Sequence, residues 1–513
     1  MRSMSGPCSN QSKSNRWRPA SVTAVPERQT KIVATMGPAV ASPEKVRELV
    51  AAGVDVARLN FSHGDHDFHR QFADWVREAA KAEDRVVAIL QDIQGPKIRV
   101  GSFPGGSMPL SAGSTVEIRA GRGLSTDGSI EIDYEFLIED VEAGEQILLA
   151  DGLIRLVVIE TKADSLTARI VQGGVLSDGK GVAFPETSLR VPAMTAKDEV
   201  DLDFGREIEV DYVAASFVRT GEDVRIVKAR AGKAPVIAKI ELALAYENLD
   251  DIMEMADGVM VARGDLGVQV PLERIPLIQA DILRRANAAG LISITATEML
   301  ESMTKASRPT RAEVTDVANA VLTGTDAVML SAETAIGDYP VLVVQTMARI
   351  CAEVEKGDTR ESQVDFIRSG GNVASAVARA AVEAAIDLDV ATIVAFTESG
   401  STARIISQYR PRARIIAFTP ERGTLARMAL YRGVRAFHAG RREYTDVMIA
   451  AAEKFLEKRG LCKRGDTVVM VAGTPPNQQA STNLMKIHVI GERDAGARSL
   501  KTGRTSPEGG SRS

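Results

Sequence analysis

Cysteine is almost missing from this 513-residue chain, and the three present, Cys8, Cys351 and Cys462, lie far apart without metal-ligand spacing. That fits a reducing compartment and no disulfide framework. Aromatic residues make up only 4%, too few for the stacking platforms that hold single-stranded nucleic acid. A basic excess is missing too. Against 68 Asp+Glu stand 63 Lys+Arg, a net charge of -5 that leaves no overall footprint for nucleic acid. No run approaches 18 apolar residues, the length a membrane-spanning helix requires. The expectation is a cytoplasmic chain with neither nucleic acid nor membrane as partner. What the chain does have is length and a 44% hydrophobic share, enough for about three or four domains with a large core.

Residues 1–28 hold six Ser, five Arg or Lys and one acid, and read as a disordered extension. Residues 493–513 contain no apolar cluster and read as a disordered tail. Between them, β-rich apolar runs recur at 31–35, 54–60, 86–92, 212–216, 236–240, 258–262, 291–295 and 327–331. Such near-continuous apolar runs suit parallel strands covered on both faces. Helical patterns separate most of them. The first has Ser42 as N-cap, Pro43 at the first helical position and Gly53 as stop. Eight such units predict a (β/α)8 barrel. The connection between Asp92 and Tyr212 is too long for a single helix and carries short alternating runs, so a β domain is inserted after the third strand. Four more strands, near 392–396, 414–418, 467–471 and 485–490, form a separate α/β domain. The predicted divisions are barrel 29–97 and 198–355, inserted lid 98–197, and C-terminal domain 356–492.

A barrel carries its active site at the carboxyl ends of its strands. Read in order, those ends hold Thr35, Arg58 and Asn60, Asp92, Ser216, Lys239 and Glu241, Arg263 and Asp265, Thr297, then Ser331 and Glu333. Glu241 and Asp265 end adjacent strands and suit Mg²⁺ or Mn²⁺, hard cations that keep waters and take phosphate-bearing substrates. Lys239 lies two residues before Glu241, so both point the same way from a strand. Arg58 adds a planar fork for phosphate or carboxylate. Positive charge around a bound anion predicts phosphoryl or carboxylate chemistry. A plain Lys239–Glu241 salt bridge leaves Arg58 and Asp265 unexplained. His63, His66 and His69 invite a zinc reading, but no Glu or Cys completes a ligand set. His66 and His69 read as helix-surface residues, and His63, in the loop after the second strand, as the functional candidate.

The segments KIVATMGPA, VARLNFSHG, QDIQGPKIR, ASFVRTGEDV, DGVMVARGDLG, TATEMLESM, RPTRAEVTDVANAV and DAVMLSAETAIGDYP resemble the pyruvate kinase family, in order from about Thr30 to Glu492. The resemblance implies phosphoryl transfer from phosphoenolpyruvate to ADP, giving pyruvate and ATP as the final step of glycolysis. By the same resemblance, Lys239 steadies the transferring group, Arg58 holds the substrate phosphate, and Glu241 and Asp265 bind the divalent metal. Backbone N–H groups of Gly264 and Asp265 take the substrate carboxylate, and Thr297 lies near the enolate. Asn60, Ser62, Asp92 and the backbone of Ile93 match the monovalent-cation ligands. Asn60, His63, Arg99 and Lys180 match nucleotide-side positions, with lid closure excluding water. The family also implies a homotetramer and a phosphorylated allosteric effector.

The effector is expected at Thr397, Ser399, Gly400, Ser401 and Thr402, where a strand gives way to a helix and N–H groups suit a phosphate. Glu398 adds repulsion there, and the later loop GTPPNQQAST departs from the usual Gly-containing form, which favours a sugar monophosphate or AMP over fructose 1,6-bisphosphate. Three further departures stand out. Glu298 replaces a common Gln, AKIELALAY lacks the residues that frequently follow the metal-binding Glu, and Lys97 replaces a Glu found in K⁺-requiring relatives. Gln94 and Val100 accompany Lys97. An ammonium near the Asn60, Ser62 and Asp92 position predicts that K⁺ is not required. Two readings compete. A metal-dependent aldolase acting on pyruvate needs neither a nucleotide lid nor Lys239, and an assay for ATP formation separates it. A non-catalytic sensor predicts loss of a core residue, and none is lost.

Overall fold

The computed structural model describes residues 27–126, 128–357, 372–474 and 482–492. The predicted tail, and all of the predicted extension but Glu27 and Arg28, lie outside the described residues. Those two are tied down: Arg28 pairs with Asp55 at 2.7 Å and Glu27 with Arg414 at 3.2 Å.

Eight parallel strands close a barrel: β1 (Lys31–Thr35), β2 (Val56–Asn60), β3 (Ala88–Asp92), β4 (Tyr212–Ala215), β5 (Val236–Ile240), β6 (Gly258–Ala262), β7 (Ile292–Ala296) and β8 (Ala327–Leu330). Each pairs with its sequence neighbours, and β1 closes on β8. Their bodies are buried throughout because helices cover the outside and side chains fill the inside. The first helix, Pro43–Ala52, starts and stops as its residues dictate: Ser42 accepts from the Lys45 N–H, and Gly53 takes the left-handed conformation at φ 118°.

The inserted domain is a six-stranded sheet with a separate two-stranded ribbon, built from strands between Ser107 and Ala183 around its own apolar core. The C-terminal sheet has five strands rather than the four predicted: β9 (Thr392–Phe396), β10 (Arg414–Thr419), β11 (Val434–His438), β12 (Thr467–Gly473) and β13 (Thr482–Val489). Their order is β11-β10-β9-β12-β13, with β13 antiparallel. The overlooked β11 is an edge strand whose Arg435 and His438 face out, so it lacks a continuous apolar run. This domain docks against the amino-terminal end of the barrel. Ala429, Leu430 and Tyr431 pack with Val33, Leu90 and Met260 of the barrel interior, and the Tyr212 hydroxyl donates to the Arg427 carbonyl at 2.5 Å. The carboxyl ends of the strands stay clear for the site.

Candidate active site

Lys239 and Glu241 leave β5 side by side, and Lys239 Nζ lies 2.8 Å from Glu241 Oε1. The same ammonium donates to Ser216 Oγ at 2.7 Å and sits 3.3 Å from Asp92 Oδ1. Arg58 Nε donates to the other oxygen of Asp92 at 2.7 Å, and its Nη1 to Thr35 Oγ1 at 3.0 Å. One buried network thus joins β1, β2, β3, β4 and β5. Burial opposes the charge on Asp92, yet Lys239 and Arg58 outweigh it and hold its carboxyl below the usual range. Burial also works against the Lys239 ammonium, but Asp92 and Glu241 raise it above its ordinary value.

Glu241 is different. Burial, with the negative charge of Asp265 adding to it, pushes its carboxyl up to about 7 against the pull of Lys239. Its Oε2 accepts the Phe217 N–H at 2.7 Å. Two carboxylates that repel one another, at the ends of β5 and β6, suit a divalent cation that takes one or two protein oxygens plus water and phosphate. Among the described residues no group of three or more His, Cys, Asp or Glu offers an all-protein metal cage. The residues fit a metal that also binds its substrate.

Asp265 belongs to the short helix Arg263–Gln269 that follows β6. Thr297, just past β7, accepts the Gly264 N–H on its hydroxyl at 2.8 Å and donates to Ala296 O at 2.7 Å. Arg263 clamps this corner, donating to the Thr297 and Ala296 carbonyls while paired with Asp316 at 2.6 Å. Phe217, Thr297 and Glu298 hold positive φ of 56°, 65° and 54°, backbone strain held at the site. Nothing in the sequence marked Phe217 or Asp316 as site residues; Phe217 stands directly after the strand-end Ser216, which is the trace it left.

Asn60 Oδ1 accepts the Ser62 N–H at 3.2 Å, Asn60 lies in register with Asp92, and Ser216 Oγ donates to the Ile93 carbonyl at 2.7 Å. Asn60, Ser62, Asp92 and Ile93 are therefore contiguous. Lys97 sends its ammonium elsewhere, to Asp265 Oδ1 at 3.3 Å and to 5.7 Å from the Phe217 ring. Arg99 donates to Gly179 O at 2.9 Å and the Lys180 carbonyl accepts the Val100 N–H, so both lie on the paired segments where the lid meets the barrel. His63 is exposed in the loop after β2, its N–H donating to the Asn60 carbonyl. Pro96, Lys97, Gly181, Phe217, Glu241 and Asp265 line the cleft between lid and barrel. Glu333 and Thr35 are spent on structure: Glu333 accepts from the Leu300 and Ser331 N–H groups, and Thr35 donates to Leu330 O.

The helix-surface reading needs correction for His69 but not for His66, whose side chain stays 38% exposed. His66 stacks on Phe204 with centroids 4.1 Å apart and donates to Asp201 at 2.8 Å. His69 is only 2% exposed, stacks on Phe61 at 4.0 Å and donates to the His63 carbonyl at 3.0 Å. A helix does follow Glu241, but it is short, Ala243–Glu247.

At the proposed effector loop, Gly400 adopts φ 91° and its N–H donates to Thr397 Oγ1 at 2.9 Å. Ser399 and Ser401 meet at 3.0 Å on the surface, whereas the Thr402 hydroxyl is buried against Thr482. Glu398 is 3.6 Å from Arg441.

Comparison with known proteins agrees with this layout. The family model described as pyruvate kinase, barrel domain, matches residues 27–344, and that described as pyruvate kinase, alpha/beta domain, matches residues 375–488. Pyruvate kinase of Geobacillus stearothermophilus is 44% identical over 482 residues, 91% of this chain and 81% of that protein. Pyruvate kinase of Mycobacterium tuberculosis is 43% identical over 91% of this chain and 99% of its own length. A crystal structure of a pyruvate kinase from Cryptosporidium parvum superposes with a TM-score of 0.85 at 36% identity, covering 90% of this chain and 96% of that one. The chain belongs to the pyruvate kinase family, phosphotransferases that pass the phosphoryl group of phosphoenolpyruvate to ADP.

Proposed function

We propose that the Lys239–Glu241–Asp92–Arg58 network is the machinery that transfers the phosphoryl group. The observation that carries the reading is the Lys239 ammonium, buried between two carboxylates and a hydroxyl at 2.7–3.3 Å. Arg58 binds the phosphate of phosphoenolpyruvate, and Lys239 stabilises the charge that develops on its equatorial oxygens during transfer. Glu241 and Asp265 would hold Mg²⁺ or Mn²⁺, which would supply charge neutralisation for the anionic substrate. The N–H groups of Gly264 and Asp265 orient the substrate carboxylate. Thr297, whose hydroxyl touches the Gly264 N–H, directs the proton that converts enolate to pyruvate. On the nucleotide side, His63, Arg99 and Lys180, with Asn60 behind them, bind ADP as the lid closes and water leaves.

Lys97 supplies a fixed positive charge beside Asp265 rather than at Asn60, Ser62, Asp92 and Ile93, and with that charge in the cleft turnover proceeds without K⁺. Residues 397–402 take a phosphorylated effector, a sugar monophosphate or AMP. The enzyme works in the cytoplasm as a homotetramer; exposed Leu272 and Leu277 on one segment support self-association, which mass in solution checks.

The test is Lys239→Met, with phosphoryl transfer and Mn²⁺ binding measured on the same sample. We expect kcat to fall by about 10²–10³, the cost of one such electrostatic contact, with Mn²⁺ affinity largely kept. Near-parental kcat would remove Lys239 from the mechanism.

A further inference from the structure

Two crossings join the inserted domain to the barrel. The outgoing one starts from Ile93, whose N–H still donates to the Ala214 carbonyl of β4 at 3.1 Å. It ends at Ile98, whose carbonyl accepts the Val182 N–H of the lid at 3.0 Å. On the way back, Leu189 and Val191 still pack on the lid core, whereas Met194 already packs on the barrel core. Each crossing carries a proline, Pro96 or Pro192, which fixes its own φ. Rotation of the lid is left to the residues beside them.

The barrel-side ends of both crossings meet on one carboxylate. Asp198, third residue of the helix Ala196–Glu207, is fully buried. Its Oδ1 accepts the Gly95 N–H at 3.1 Å. Its Oδ2 accepts the Thr195 N–H at 2.8 Å and the Thr195 hydroxyl at 2.7 Å. The helix beneath is held to the barrel, for Lys197 donates to the Phe61 carbonyl at 2.7 Å and Gln91 of β3 to the Asp201 carbonyl at 2.6 Å. A capping box explains the bonds to Thr195. It does not explain the bond to Gly95, which reaches across to the other crossing. Gly95 has φ 70°, and a Cβ there would stand 2.8 Å from the Ser216 carbonyl oxygen. Ser216 in turn accepts the Lys239 ammonium on its hydroxyl. The pivot of the outgoing crossing therefore rests on a residue of the buried network.

We infer that Asp198 is a positioning residue for lid closure: it pins both crossings at one point, so that the lid turns as one body and brings Arg99 and Lys180 onto the nucleotide. The inference rests on the reading that the lid closes over ADP. A carboxylate suits the task because each of its two oxygens takes a donor and its charge strengthens both bonds. An amide of the same shape has one acceptor oxygen and one NH₂ group. Asp198→Asn therefore leaves one of the two N–H groups buried without an acceptor.

The test compares Asp198→Asn with Thr195→Ala, which strips the helix cap of its hydroxyl but keeps both N–H bonds to Asp198. Amide hydrogen exchange of the unliganded full chain, read on peptides spanning 91–98 and 190–196, reports the pin; steady-state kinetics report its use. In Asp198→Asn we expect exchange at 91–98 to quicken by about tenfold or more, the cost of an unpaired buried N–H. The KM for ADP should rise about fivefold, with the KM for phosphoenolpyruvate, held by barrel residues, within about twofold of the parent. Thr195→Ala should lower the melting temperature yet leave exchange at 91–98 and the KM for ADP parental. Should Asp198→Asn fold poorly, the unmodified chain decides, because N–H groups that share one carboxylate open together and should show protection equal within about threefold. Parental exchange in Asp198→Asn overturns the proposal. So does a parental KM for ADP once exchange has risen, a Thr195→Ala variant that matches Asp198→Asn in both readouts, or unequal protection of Gly95 and Thr195. The exchange readout does not depend on the reaction, so its failure is distinct from failure of the phosphoryl-transfer reading, which Lys239→Met judges.

Discussion

The Lys97 ammonium, in the turn leading from β3 into the inserted domain, lies 3.3 Å from Asp265 Oδ1 past the end of β6. A fixed cation thus stands against one of the two carboxylates proposed to hold the metal. From this we predict that turnover does not need K⁺. Rates with and without K⁺, at constant ionic strength and saturating Mg²⁺, should differ by less than about tenfold. A larger activation, equal to about 1.4 kcal/mol of transition-state stabilisation or more, would sink the idea.

Reversing the charge gives the converse prediction. Lys97→Glu should lower activity and make the remainder respond to K⁺. A variant that stays fast and indifferent to K⁺ would show that the Lys97 charge has no electrostatic part in turnover.

Effector response should depend on a buried tie between the domains. Arg404, in the helix Ser401–Gln408 that opens at the proposed effector loop, places both terminal nitrogens 3.2 Å from Asp326 Oδ2, just before β8. Burial opposes the charge of Asp326, but Arg404 and Arg410 hold its carboxyl below the usual range. Ser401→Glu should abolish activation by a sugar monophosphate or AMP by repelling the phosphate. Arg404→Met should weaken that activation and destabilise the protein by about 3 kcal/mol, the lower end for a broken buried pair, because Arg410 remains. Activation and melting curves of both variants decide the matter; unchanged activation in Ser401→Glu moves the effector elsewhere.

Stability should fall on acidification through His69. Burial against Phe61 pushes this imidazole down to about 4, so the folded state keeps it neutral where the unfolded chain, near 6.5, already takes up a proton. Above about pH 6.5 neither state is protonated and His69 contributes nothing to the pH dependence. Between 6.5 and 4 the unfolded state binds the extra proton, and stability declines until the folded imidazole titrates as well. Denaturant midpoints across that window should slope less in His69→Gln than in the parent. Identical slopes would exclude His69 as the source.

Much of this could be read before any coordinates. Doubly covered strands are apolar along their whole length, so VIAKI and GVMVA announced β5 and β6 to the residue. Ser42, Pro43 and Gly53 bounded the first helix because capping is local chemistry. Edge strand β11 escaped, since a strand with one face in solvent alternates and VRAFH is too short for alternation to stand out. His69 was misread because helical spacing reports the face of a helix but not which neighbour, here Phe61, covers it.

The sequence by itself determined which groups stand at the strand ends: Arg58, Asp92, Lys239, Glu241, Asp265 and Thr297 follow from where each apolar run stops. Tertiary structure alone decided which of them meet, and so how each behaves. Closing the barrel brought Asp92 between Arg58 and Lys239, while Glu241 received Asp265 as a like-charged neighbour. The turn leaving β3 set Lys97 on Asp265, and docking the C-terminal domain set Arg404 on Asp326. The physical reason is that a side chain's charge state and partners depend on burial and on charges a few ångströms away. Those distances join residues remote in sequence, and no local pattern encodes them.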